Sequence, residues 1–134
     1  MKSAGYTKHL TRSTNKYNAK KTVIDGIEFD SKKEARRYAV LKALEKDGKI
    51  QGLQRQVEFI LIPEQREPDT VGSRGGIHKG KLLERKCSYV ADFVYKDMEN
   101  GNLVVEDAKG MRLPDYVIKR KLLLYIHGIR ISEV

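Results

Sequence analysis

Cysteine is nearly missing from this chain: Cys87 is the single one in 134 residues. One thiol excludes an internal disulfide and any zinc cluster built on several cysteines. With no histidine near it in sequence, Cys87 reads as a packing residue rather than a nucleophile. Histidine is scarce as well. His9, His78 and His127 are too far apart for metal-ligand spacing and read as non-catalytic. Long hydrophobic runs are absent, so no segment is expected to span a bilayer. The stretch MKSAGYTKHLTRSTNKYNAKK has no apolar signal core, and the expected setting is intracellular, without a membrane partner. There is no internal repeat. The glycines of VGSRGGIHKGK neither follow a strand nor open a helix, which argues against a phosphate-binding loop.

Acid is also missing from the beginning. Lys2, Lys8, Arg12, Lys16, Lys20 and Lys21 all precede the first carboxylate, Asp25. Residues 1–22 therefore read as a flexible basic arm. Its lysines, Lys16, Lys20 and Lys21 among them, suit phosphate contacts made by counterion release. Tyr6 and Tyr17 within it suit stacking on bases. The net charge of +9 agrees with a polyanionic partner. A solubilising tail is the competing reading, and the balance favours nucleic acid.

What is present is one ordinary soluble domain over residues 23–134, 40% of the whole chain being hydrophobic and 34% charged. VIDGIEF suits a hairpin turning at Asp25-Gly26. In SKKEARRYAVLKALEKDGKI, Ser31 and Glu34 form a capping-box pattern and Gly48 marks the stop. Ala35, Tyr38, Leu41 and Leu44 give that helix one apolar face. LQRQVEFILI reads as a strand ending at Pro63. The Pro- and Gly-rich segment from Pro63 to Arg85 reads as a mobile loop at its centre. KCSYVADFVYKDMENGNLVVEDAKG reads as a hairpin with Asn100-Gly101 as its two-residue turn. Pro114 opens a second helix closed by Gly128, and IRISEV makes a last strand. The expected architecture is α/β, in the order α-β-β-β-α-β.

The hairpin carries the chemistry. With Asn100 and Gly101 as the loop, Asp92 falls opposite Lys109 and diagonally next to Asp107. Alternation puts Asp92, Asp107 and Lys109 on one face, with Glu106 and Ala108 on the other. Two neighbouring carboxylates repel unless one stays protonated or a cation joins them. Hard oxygen ligands favour Mg²⁺ or Mn²⁺; a structural ion-pair cluster with Lys109 is the competing account. Glu34 lies on the core-facing side of its helix, between Tyr38 and Leu41. A capping role explains it without function. Delivery to Asp92 and Asp107 explains it with one.

These segments, ADFVY and VVEDAKG after FDSKKEARRYAVLKALEKDGKI and LQRQVEF, resemble the PD-(D/E)XK nuclease superfamily. They are most similar to a small group of uncharacterised phage-encoded proteins assigned to it. The resemblance spans about residues 23–134 and includes the trailing YVIKRKL helix. It implies a restriction-endonuclease-like core, with a central mixed sheet flanked by helices, and Mg²⁺-dependent endonuclease activity on DNA. Asp92 and Asp107 match the motif acids, Lys109 the motif lysine and Glu34 the helix-borne acid. Gln56 matches a polar position that accompanies the site in relatives. Ala91 stands where the motif has proline, and Glu106, beside Asp107, takes a supporting position by the alternation argument.

The roles implied are a metal held by Asp92, Asp107, Glu34 and the Ala108 carbonyl, with Lys109 orienting the attacking hydroxide or neutralising charge on phosphorus. Lys119 and Lys121 on the second helix suit a flanking phosphate, although a solvated helix face explains them equally well. Arg74, Lys79 and Lys81 suit the DNA backbone. Symmetric double-strand cleavage needs two sites, so a homodimer is expected. The implied setting is the cytoplasm of a phage-infected host, with recombination, replication or packaging intermediates, branched DNA included, as substrates. The alternative function is a non-catalytic DNA-binding or interaction module on the same fold.

Overall fold

The computed structural model describes residues 21–108 and 111–134. Strands β1 (Thr22–Ile24) and β2 (Ile27–Phe29) pair antiparallel, Ile24 facing Ile27. Asp25 and Gly26 have φ of 52° and 75°, the doubly left-handed geometry that a two-residue hairpin turn requires. β1 begins inside the stretch assigned above to the arm. Residues 1–20 lie outside the described residues.

Helix α1 (Lys32–Lys46) starts at Ser31, whose hydroxyl accepts the Glu34 backbone N–H at 3.1 Å. Its apolar face is the expected one: Ala35, Tyr38 and Leu41 are buried, and Leu44 packs beside them. The chain then runs through the long strand β3 (Ile50–Ile62).

The following segment differs from the expected loop. It is a braced ribbon in which β4 (Gln65–Arg66) pairs with β7 (Leu82–Glu84), and β5 (Thr70–Val71) pairs with β6 (Ile77–His78). All nine strand positions are exposed, so no apolar alternation announces the strands. Backbone contacts hold them instead. Glu67 N–H donates to the Lys81 carbonyl at 2.8 Å, and Gly80 N–H to the Asp69 carboxylate at 2.8 Å. Gly80 is required there, because a Cβ would lie 1.7 Å from the Glu67 carbonyl oxygen.

β8 (Cys87–Asp97) and β9 (Leu103–Asp107) form the main hairpin, followed by α2 (Pro114–His127) and β10 (Ser132–Glu133). The sheet order is β10-β9-β8-β3, with β10 parallel to β9 and the other pairs antiparallel. It is a mixed sheet, and the α1-β3-β8-β9-α2-β10 order agrees with the sequence reading. Phe93 and Tyr95 pack with α1, while Val94 and Val105 pack with Tyr116 and Leu123 of α2. Each face of the sheet thus has its own helix. No helix among the described residues is long and apolar enough to cross a membrane.

The main turn departs from the expected two-residue form. Asp97 N–H donates to the Asn102 carbonyl at 2.9 Å, leaving Met98, Glu99, Asn100 and Gly101 as the loop. The side chains of Asp97 and Asn100 make this wider turn by accepting the backbone N–H groups of Glu99 and Asn102. The register becomes Phe93 opposite Glu106, so Asp92 continues it opposite Asp107 rather than opposite Lys109. A slip of two residues preserves the faces. Asp92 and Asp107 come next along the two strands and lie close enough to act on each other's charge.

Candidate functional site

The site forms where the strand alternation breaks. Phe93 and Tyr95 pack under α1, yet Tyr89 and Ala91, which share their parity, pack in the α2 core. The reversal falls at Asp92. Across from it, between the Arg55–Phe93 and Val57–Ala91 pairs, stands Gln56 with φ 52°. A non-glycine residue in the left-handed region inside a strand is strained and needs surroundings that hold it. Here they do so through its carboxamide, whose N–H₂ donates to Glu34 Oε1 at 3.1 Å and to Asp92 Oδ1 at 3.4 Å.

Two carboxylates meet at that amide, Glu34 from α1 and Asp92 from β8, and Asp107 at the end of β9 lies close enough to act on the charge of both. Glu34 and Asp107 are buried and Asp92 is half-buried. Asp92 Oδ2 accepts the Ala108 backbone N–H at 2.9 Å. Asp107 Oδ2 accepts the buried Tyr89 hydroxyl at 2.5 Å. The capping question about Glu34 is answered by a division of labour. Its backbone N–H serves the N-cap, while its carboxylate turns to Gln56 and to the Arg55 guanidinium 3.7 Å away. Arg55 itself lies over the Phe29 ring, 4.3 Å from the centroid.

Crowding of like charge shows in the titration. Burial, then the neighbouring Asp107 and Glu34 carboxylates, push Asp92 up to about 7 against the pull of the Ala108 amide. Burial likewise raises Glu34, opposed first by Arg55. Burial and the Asp107 hydrogen bond raise Tyr89, which therefore stays a donor to Asp107. A carboxyl whose folded pKa lies above its unfolded value of 3.8 stabilises the fold at acid pH. It loses that contribution as pH climbs from about 4 through about 7. Asp92→Asn is accordingly expected to raise the melting temperature in EDTA at pH 8 and to leave it nearly unchanged at pH 4. Thermal melts at the two pH values check this; an equal shift at both would show that Asp92 is not held against its charge.

Among the described residues, no three His, Cys, Asp or Glu side chains form a ready cation cage. The donor chemistry suits a hard divalent ion, since every side chain turned toward Gln56 is an oxygen ligand. The Gln56 amide bridges Glu34 and Asp92 as a weak positive dipole. Lys109 lies outside the described residues, so its expected place on this face is not described.

Glu106 takes the opposite face, as the alternation predicted, and there it is clamped. Arg37 Nε donates to Glu106 Oε1 at 2.9 Å and to Oε2 at 3.2 Å, and Arg37 Nη2 completes a bidentate pair. Sequence reasoning missed Arg37, Arg55 and Tyr89. Arg37 had a signal, one turn after Glu34 on the same helix. Arg55 reaches from β3 to Glu34 on α1, and Tyr89 meets Asp107 across the main hairpin; neither had one.

The expected phosphate contacts are scattered. Lys16 and Lys20 lie outside the described residues, and Lys21 pairs with Glu28 at 2.9 Å. Arg74, Lys79 and Lys81 are exposed on the ribbon, with Lys79 at 3.7 Å from Glu64. On α2, Lys121 is exposed and Lys119 half-buried, while Arg120 between them is drawn to Glu133 at 3.0 Å. A ring nitrogen of His127 lies 2.7 Å from the Ile60 carbonyl oxygen. Cys87 is half-buried against the α2 core, as a packing residue should be.

A family model described as "Protein of unknown function (DUF1064)" matches residues 14–130. No curated protein and no solved structure matches the chain.

Proposed function

We propose the following activity for this chain, which belongs to the DUF1064 family of proteins of unknown function: it is a metal-dependent endonuclease that hydrolyses DNA phosphodiester bonds. The core is read as restriction-endonuclease-like, and the site as a PD-(D/E)XK-type centre. One observation carries this reading. Glu34, Asp92 and Asp107, from three separate elements, lie within reach of one another's charge, and Gln56 bridges the first two. Burying like charges side by side is costly without a cation to join them.

Asp92, Asp107 and Glu34 would hold Mg²⁺ or Mn²⁺, with the Ala108 carbonyl as a further ligand. When bound, such an ion supplies a water of lowered pKa and positive charge at the scissile phosphate. The chain does the rest. Ala108 N–H fixes one oxygen of Asp92, and the Tyr89 hydroxyl fixes one oxygen of Asp107. Gln56 and Arg55 hold Glu34 facing the same place. Lys109, two residues after Asp107, brings a positive charge for the attacking hydroxide or the phosphoryl oxygens. The lysines before Thr22 add affinity without reading sequence. Symmetric double-strand cleavage would take two copies of the chain.

A second reading, a non-catalytic DNA-binding module, is favoured by the lack of a ready three-ligand cage among the described residues. Incubation with Mg²⁺ or Mn²⁺ on linear duplex, single-stranded and four-way-junction DNA, with RNA in parallel, separates the two. Metal-dependent cleavage of DNA supports the nuclease. Binding without cleavage on every substrate leaves the module.

Glu34→Gln probes the helix-borne acid. The N-cap survives, because Ser31 bonds the backbone of residue 34 and not its side chain. Glutamine also keeps a carbonyl oxygen for Gln56. Stability is expected to change by less than about 1 kcal/mol, while cleavage is lost with the negative charge. A melting temperature near wild type together with undiminished cleavage would reduce Glu34 to a structural residue.

A further inference from the structure

The ribbon between β3 and β8 contributes nothing to either core cluster: none of residues 63–86 belongs to them. It is nevertheless a built element. Beyond the bonds at Glu67 and Gly80, Arg66 Nη1 donates to the Gly80 carbonyl at 3.1 Å. At the tip, Gly72 N–H closes on the Gly76 carbonyl at 2.7 Å. Just below that turn, Val71 and Ile77 stand opposite each other in register, and they are 76% and 75% exposed. Directly paired residues of an antiparallel ribbon place their side chains on the same face. Aliphatic side chains left in water forgo the gain of burial. A projecting pair of them, side by side at the tip of an element outside both cores, is a surface an apolar occupant could cover.

Charge selects that occupant. From Thr70 to Lys81 the sequence holds Arg74, Lys79 and Lys81 and no acid; Lys79 lies 3.7 Å from Glu64, and Asp69 accepts the Gly80 N–H at the base of the tip. A second copy of a chain with net charge +9 would bring like charge to this tip, whereas a polyanion complements it. A two-stranded ribbon is narrow enough to enter a DNA groove. Apolar side chains presented between cations are the means by which groove-binding proteins unstack a base step and bend the duplex.

We infer that the ribbon tip is a DNA wedge: Val71 and Ile77 insert at an unstacked base step while Arg74, Lys79 and Lys81 hold the flanking phosphates. Bent or branched DNA is then the preferred substrate class, since its steps are already partly unstacked. The choice of DNA rests on the nuclease reading above, but wedge and cleavage can fail separately.

The test uses the full chain in EDTA with a synthetic four-way junction carrying 2-aminopurine at the branch point, and a matched linear duplex. Wild type is expected to raise 2-aminopurine fluorescence on the junction and to bind it about tenfold more tightly than the duplex. Val71→Ser with Ile77→Ser should abolish the fluorescence rise and the preference, while duplex affinity stays within about threefold. Val71→Thr with Ile77→Thr keeps β-branching for the strand pairing and should show the same loss. An unchanged signal in either double variant would overturn the wedge. So would a drop from dimer to monomer by light scattering, which would make the tip a protein interface. Mg²⁺-dependent cleavage without unstacking by wild type defeats the wedge alone. Unstacking by a protein that never cleaves defeats the nuclease reading and leaves the wedge standing.

Discussion

Asp92→Ala is expected to reduce Mg²⁺-dependent DNA cleavage by about 10³-fold or more, the scale on which removing one electrostatic group from a catalytic centre acts. DNA binding should be kept or tightened, because the substitution removes negative charge from beside a phosphate. The fold loses the acceptor of the Ala108 N–H but is relieved of a crowded charge, so little net change in stability is expected. Asp92 is held against its charge by burial and by Asp107 and Glu34, so its removal relieves the protein at neutral pH. Asp107→Ala should lose cleavage equally, although it also leaves the buried Tyr89 hydroxyl without this acceptor and should melt lower. Glu106→Gln is the comparison, because its side chain is turned to Arg37 on the α1 face, away from Asp107, and glutamine can still bond that arginine. Single-turnover cleavage measured beside gel shifts in Ca²⁺ separates chemistry from binding. Normal cleavage by Asp92→Ala, or loss in Glu106→Gln with cleavage intact in Asp107→Ala, would end the assignment of the two aspartates.

The aspartate pair was legible in the sequence for a reason that outlasted an error. Asn100-Gly101 is a strong two-residue turn signal, but Asp97 and Asn100 bond the backbone into a four-residue loop. Because the loop grew by an even number, the paired residues kept their expected faces, and Asp92 and Asp107 stayed within reach of each other. A one-residue change would have split the pair. Glu34 was legible as a dilemma, cap or ligand, which the fold dissolves by using its amide for one purpose and its carboxylate for the other. The break at Gln56 was not legible. Nothing in LQRQVEF marks one glutamine for positive φ, and the constraint comes from Glu34 and Asp92, which are distant in sequence. The ribbon was missed because strands wet on both faces carry no apolar period.

Arg37→Ala is expected to have the largest effect on stability, and the reason lies in an asymmetry of burial. The Glu106 side chain is 1% exposed and that of Arg37 is 30% exposed. Removing the arginine strands a carboxylate that cannot reach water, at a cost of about 3 kcal/mol. For a chain of this size that corresponds to a fall of roughly 10 °C in melting temperature. Removing the carboxylate by Glu106→Ala leaves a guanidinium that can turn outward, and should cost less, on the order of 1–2 kcal/mol. Replacing both by leucine removes both charges and should recover most of the loss, since a buried ion pair is worth little more than a well-packed apolar one. Function should not follow stability. Arg37 sits one turn beyond Glu34 on α1, and Glu106 precedes Asp107 on β9, so the clamp sets the helix-borne acid against the strand-borne one. The double leucine variant is therefore expected to melt near wild type yet bind Mn²⁺ more weakly by calorimetry and cleave more slowly. If Glu106→Ala proved the more damaging single change, the burial argument would be wrong. If the double variant bound Mn²⁺ as wild type does, the pair would hold the fold together without registering the site.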